Sequence, residues 1–109
     1  MDIYIKENSS FARFAALYLK EKSMAFTLGK TIHLWQTKSE DFLKNEIWVR
    51  HEIIHVQQFQ QYGFFSFIGK YLWEIALHGY ANNKFEVAAR LRENEAIDLN
   101  KFNFICHKK

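Results

Sequence analysis

The chain has 109 residues, 49% hydrophobic and 17% aromatic, enough apolar material for a single compact domain over 1–109. Its formal charge of +3 is mild and its basic residues are scattered, so no nucleic-acid footprint is visible. A lone cysteine, Cys106, excludes an intramolecular disulfide and fits a reducing compartment; the N-terminus shows no secretory pattern, and a cytoplasmic chain is expected.

Asn8, Ser9 and Ser10 offer an N-cap for a first helix ending near Lys20 to Lys22, with Phe11, Phe14, Ala15 and Tyr18 as its apolar face. Met24 to Leu28 and Thr31 to Trp35 read as two short strands, and Gly29-Lys30 suits a two-residue hairpin turn. A free edge on this hairpin could hold an extended peptide by strand addition; a small sheet packed on helices is the plainer alternative. His33 faces away from Ile32 and Leu34, which predicts a surface position outside any site.

Ser39-Glu40-Asp41 starts the next helical region, with Ser39 as cap and acids in the first turn. It runs to about Tyr62, where Gly63 is placed to stop it. Inside it lies His51-Glu52-Ile53-Ile54-His55. Residues four apart share a helix face, so both imidazoles can reach one metal ion, and Glu52 can serve a metal-activated water as general base. Composition alone would supply such a match about 0.02 times in this chain. Leu43, Ile47, His51, Ile54, His55, Gln58 and Tyr62 trace a 3.6-residue stripe, which turns both histidines inward.

Phe64 to about Gly79 forms a further helix, with Phe64, Phe67, Ile68, Tyr71, Leu72 and Ile75 on its apolar side. Its apolar run is interrupted by Ser66, Gly69, Lys70 and Glu74 and is too short to span a bilayer; no transmembrane segment is expected. Glu74 and His78 are spaced for an i,i+4 pair. Asn82-Asn83 opens a last helix from Lys84 to about Leu99, and Asn83 with Glu86 has the spacing of a capping box. Residues 101–109 have no clear period and read as a strand, an arm or an unstructured tail.

A catalytic zinc takes three protein ligands and keeps one position open. The metzincin spacing would need Gly at 58 and His at 61, where this chain has Gln58 and Gln61. A glutamate on a later helix is the remaining common solution, and Glu74, Glu86, Glu93 and Glu95 are available. Glu86 has the best local setting, because Ala88 and Ala89 permit close approach of two helices; Glu93 is the runner-up. Spacing leaves the choice open.

His51-Glu52-Ile53-Ile54-His55-Val56-Gln57-Gln58, followed by Asn83-Lys84-Phe85-Glu86-Val87-Ala88-Ala89, resembles the minimal gluzincin-type zinc metallopeptidases. The likeness covers roughly residues 24 to 92 in motif-sized pieces. One departure is Lys84, where many relatives carry proline; lysine is acceptable at a first helical position. The resemblance implies an α+β, mainly α, zincin-like minimal domain, with a small hairpin or sheet and an HExxH helix packed on a glutamate-bearing helix. It also implies His51, His55 and Glu86 as Zn²⁺ ligands, Glu52 as catalytic acid/base, and hydrolysis of a peptide or protein substrate through a zinc-bound water. Tyr80, His78 and Tyr71 are candidate donors to the developing oxyanion, and Gln58 is placed either to orient a ligand or to bridge helices.

Two alternatives accompany this reading. One is a zinc-stabilised scaffold or interaction domain without turnover. The other is a latent peptidase whose tail places Cys106 or His107 in the open position. A deformylase-like enzyme ranks low, since it needs an upstream cysteine.

Overall fold

A computed structural model describes residues 1–94 and 99–107, residue 107 by its backbone alone. Alternation in Asp2-Ile3-Tyr4-Ile5-Lys6 produces strand β1 (Asp2–Lys6), with Ile3 and Ile5 fully buried and their neighbours facing out. This strand is an addition to the expected elements. The hairpin strands β2 (Met24–Leu28) and β3 (Thr31–Trp35) have the expected bounds and pair antiparallel, from Met24 opposite Trp35 to Leu28 opposite Thr31. Gly29 takes φ +63° in their turn, a conformation that favours glycine.

Strand β4 (Asn103–His107) resolves the open reading of the tail: it pairs parallel to β1, which also pairs parallel to β3. The sheet order is β2-β3-β1-β4.

Helix α1 (Ser10–Leu19) is capped by Ser9, whose hydroxyl accepts from the Ala12 amide, and ends at Lys20 in a left-handed conformation. Its buried face is Ala12 and Ala16; Phe11, Phe14 and Tyr18 are exposed. That corrects the expected face. Apolar residues surround this helix, and the small alanines are the ones that let it lie close on the sheet.

The helical region from Ser39 is two helices, α2 (Ser39–Lys44) and α3 (Glu46–Tyr62), broken at Asn45, whose side chain accepts from the Trp48 amide at 3.1 Å. Ser39 is itself helical, and its amide and hydroxyl both donate to the Glu7 carboxylate at 2.9 and 2.6 Å. A carboxylate from the end of β1 therefore satisfies the start of α2. Gly63 and Gly79, both at positive φ, bound α4 (Phe64–His78). Helix α5 (Lys84–Arg92) is shorter than expected; residues 95–98 lie outside the described residues, and a 3-10 turn at Leu99–Lys101 leads into β4.

Ile3, Ile5, Ile32 and Leu34 from one sheet face pack against Phe42 of α2 and Val49, Ile53 and Val56 of α3. On the opposite face Ala12 and Ala16 of α1 meet Met24, Phe26 and Trp35. A third cluster of Phe59, Phe67 and Phe85 joins α3, α4 and α5. The architecture is α+β, mainly helical, and no helix among the described residues is long and apolar enough to cross a membrane. His33, expected at the surface, is buried under α1 with Nδ1 2.7 Å from the Ser9 hydroxyl, because the second sheet face is covered as well.

Candidate metal centre

Helix α3 turns Ile53 and Val56 onto the sheet and so presents His51 and His55 to α5, where buried Ala89 permits close approach and Glu86 is 3% exposed. His51 Nε2 lies 3.1 Å from Glu86 Oε1, His55 Nε2 lies 3.0 Å from Glu86 Oε2, and the two Nε2 atoms are 3.3 Å apart. The inward stripe predicted for α3 holds at its centre, whereas Ile47 and Tyr62 near its ends are exposed.

The other ring nitrogens are held from behind. His55 Nδ1 is 2.8 Å from Gln58 Oε1, and Gln58 Nε2 donates to the Phe85 carbonyl at 3.2 Å. That second bond fixes the amide so that its oxygen accepts from the His55 Nδ1–H, leaving Nε2 to face Glu86. His51 Nδ1 is 2.8 Å from Glu93 Oε2, and Arg50 Nε donates to the Glu93 carbonyl at 2.7 Å. Gln58 thus orients a histidine and also bridges helices, so both expected roles are met by one side chain. Glu93 stands behind His51 rather than beside Glu86.

Glu52 is 4% exposed and accepts a 2.7 Å hydrogen bond from the Thr27 hydroxyl on β2. Thr27 escaped the sequence reading. The available signal was a polar residue two positions from Ala25, on the strand face that meets α3.

Tyr71 donates to Glu86 Oε2, and the Tyr71 carbonyl accepts from Asn83 Nδ2 at 3.3 Å. Asn83 is fully buried and its Oδ1 accepts from the Phe85 amide at 2.8 Å. It caps α5 alone: Glu86 faces the histidines and does not close a capping box. Glu74 accepts from the Lys84 amide at 3.0 Å, which replaces the expected pairing with His78 and takes this glutamate away from the histidines. His78 is exposed at the end of α4. Tyr80 borders both the histidine cluster and the recess beyond it. Glu95 lies outside the described residues, as does the side chain of His107. Cys106 is exposed on β4, at the sheet edge opposite β2.

Burial would lower the His51 pKa, but hydrogen bonds to Glu86 and Glu93 and the charge of Glu52 lift it to about 9. For His55, burial is likewise overcome by Glu86. Burial would raise Glu86, yet hydrogen bonds from His51, His55 and Tyr71 hold its carboxyl well below the usual range. Glu52 moves upward: burial dominates, against the two histidines and the Thr27 hydrogen bond. Burial and the Glu86 charge also raise Tyr71 and Tyr80, which keeps both as hydroxyl donors.

His51, His55 and Glu86 each offer one ligand atom within 4.8 Å of the others, and among the described residues this group has three members. Two imidazole nitrogens and a carboxylate oxygen form a zinc donor set. A tetrahedron with arms of about 2.0 Å has edges of about 3.3 Å, matching the 3.3 Å between the two Nε2 atoms, while Glu86 turns one oxygen to each histidine. The three side chains could hold a metal ion. No protein-family model, curated protein or solved structure matches the chain.

Proposed function

We propose that the chain is a zinc-dependent metallopeptidase of minimal gluzincin type, on a zincin-like domain, with His51, His55 and Glu86 as ligands. The observation that carries this reading is a buried carboxylate, Glu52, on the helix that bears His51 and His55 but outside the three-membered donor set these form with Glu86 of α5. Zinc held by His51, His55 and Glu86 would supply water activation and Lewis-acid polarisation of a carbonyl.

Glu52 accepts the proton of the attacking water and returns it to the departing amine. Burial lifts its pKa towards the range where a carboxylate both takes and gives a proton efficiently. Thr27 occupies Oε1 and leaves the second oxygen for proton transfer. Tyr71 and Tyr80 both keep their hydroxyl protons and both engage Glu86; Tyr80, which also borders the open groove, is the donor assigned to the charge growing on the substrate oxygen. Strand β2, paired only with β3 among the described residues, supports an extended peptide as substrate.

The test is cleavage of a mixed peptide library by chain loaded with one equivalent of zinc, beside Glu52→Gln. Expected is cleavage by the parent and its loss in the variant, with zinc stoichiometry kept. Equal turnover by the variant overturns the role of Glu52; zinc binding without cleavage by the parent leaves the scaffold.

A further inference from the structure

Helix α4 carries apolar residues on every side, yet Phe67 is the one it buries. Lys70, Glu74 and His78 all lie outside the outward arc through Phe65, Gly69, Leu72 and Ala76. A helix apolar all round is normally enclosed, so the outer face of α4 calls for a cover. Phe65, Leu72, Trp73 and Leu77 are 84, 58, 65 and 55% exposed; Leu72, expected on the inward side, is a surface residue. With aromatic side chains at roughly 150–250 Å² each, these four expose on the order of 500 Å² of apolar surface. A standard interface takes about 800 Å² from each partner, and Gly69, Ala76 and the edges of the face bring α4 near that figure.

The order of side-chain sizes along this face selects the occupant. Phe65, Gly69, Leu72 and Ala76 have the alternating four- and three-residue steps of a coiled-coil seam, and they run large, small, large, small. Consider the face laid antiparallel on itself, about a two-fold axis between Gly69 and Leu72. Phe65 then meets Ala76 of the second copy, and Gly69 meets its Leu72, so every layer holds one large and one small residue. A parallel pair would stack Phe65 on Phe65 and leave Gly69 facing Gly69. A Cβ at Gly69 would meet nothing within 4 Å, so the notch there is open to a leucine from outside. Such alternation has no use against lipid. The basic polar face of a membrane-surface helix is missing too, because the other side of α4 packs on α3 and α5.

We propose that the chain forms a two-fold dimer by antiparallel pairing of α4 with α4 of a second copy. The pairing is independent of the metal and of the peptidase reading. Trp73 and Leu77 flank the seam and close it from solvent, and aromatic residues with few charges are what the centre of such an interface requires.

The experiment is sedimentation equilibrium of the full chain, with circular dichroism to establish that each variant is folded. A reversible dimer with a Kd on the order of 10 µM is expected for a face at the low end of the standard size. Gly69→Leu meets no obstacle within its own chain but sets leucine on leucine twice per dimer. It is expected to weaken association at least about tenfold. Leu72→Ala opens two gaps and is expected to do the same. The double variant Gly69→Leu, Leu72→Ala exchanges the large and small positions and is expected to return association to within about threefold of the parent, a non-additive result. Tighter or unchanged association in Gly69→Leu, or additive losses in the double variant, overturns the inference. Loss of the dimer in Phe14→Ser, on the exposed face of α1, overturns it as well. Should Leu72→Ala fail to fold, Gly69→Leu decides alone. A parent chain that stays monomeric at about thirty times the expected Kd overturns the proposal, and co-sedimentation of that monomer with phosphatidylglycerol vesicles would give the face to lipid instead.

Discussion

Glu93 Oε2 sits 2.8 Å from His51 Nδ1, on the opposite side of the imidazole from Glu86. One ring is thus gripped by two carboxylates from α5 and the turn after it, one facing the would-be ion and one behind. The far carboxylate fixes the tautomer, and Gln58 does the same for His55 with a neutral oxygen. Asymmetry follows: the two histidines have different acceptors behind them, a carboxylate and an amide oxygen, and respond differently to mutation.

Glu93→Gln is expected to weaken zinc binding about ten- to a hundredfold, the usual effect of losing a group that orients a ligand. Glu86→Ala is expected to weaken it much further, because a ligand atom itself is removed. Competition with a chelating dye of known affinity ranks the two, and the reverse order would reassign the third ligand.

Thr27→Val removes the hydroxyl that holds Glu52 and should leave zinc stoichiometry unchanged. The loss of one such hydrogen bond is worth about tenfold in kcat. Since that bond lowers the Glu52 pKa, its removal shifts the acidic limb of the kcat profile to higher pH, and Thr27→Ser restores it. A purely structural threonine would change the yield of folded protein without moving the limb.

Zinc binding should be strongly pH-dependent. His51 holds a proton up to about pH 9 in the metal-free protein, and the ion must displace it. Apparent affinity therefore rises as pH increases towards 9, by about tenfold per unit for each proton released. The sign is reversed for the metal-free fold: the raised pKa stabilises it below the unfolded value of 6.5, and this contribution is lost as pH rises through about 9. Calorimetric titration in buffers of different ionisation enthalpy counts the protons; release of none would contradict the site.

His33 contributes the opposite slope. Burial, then the charge of Lys6, lowers its pKa, so the unfolded chain takes up this proton more readily than the folded one. Folding stability falls as pH drops below about 6.5, the ordinary histidine value, towards the folded pKa. Urea unfolding of His33→Gln should show a flatter dependence in this window, and an unaltered slope would place the acid sensitivity elsewhere.

Much of this organisation was legible locally. The hairpin strands emerged with the expected ends because alternation and Gly29 act over a few residues, and the His51–His55 pair depends only on helical pitch. The break at Asn45 was masked by two N-cap signals six residues apart, Ser39 and Asn45, within one apolar period. Strands β1 and β4 pair residues about a hundred positions apart, Asp2 with Asn103, which no local pattern announces. The same limit hid Thr27: its partner Glu52 lies across two layers of structure. Glu86 stood out for its alanine neighbours, whereas the orienting function of Glu93 requires knowing which side of the His51 ring it meets.

The central claim is tested most directly by zinc K-edge X-ray absorption on the full chain carrying one equivalent of zinc. The account predicts two imidazoles and only nitrogen or oxygen donors at about 2.0 Å, with one imidazole lost in His55→Ala. Sulfur scattering at about 2.3 Å, or a first shell unchanged by His55→Ala, would contradict it.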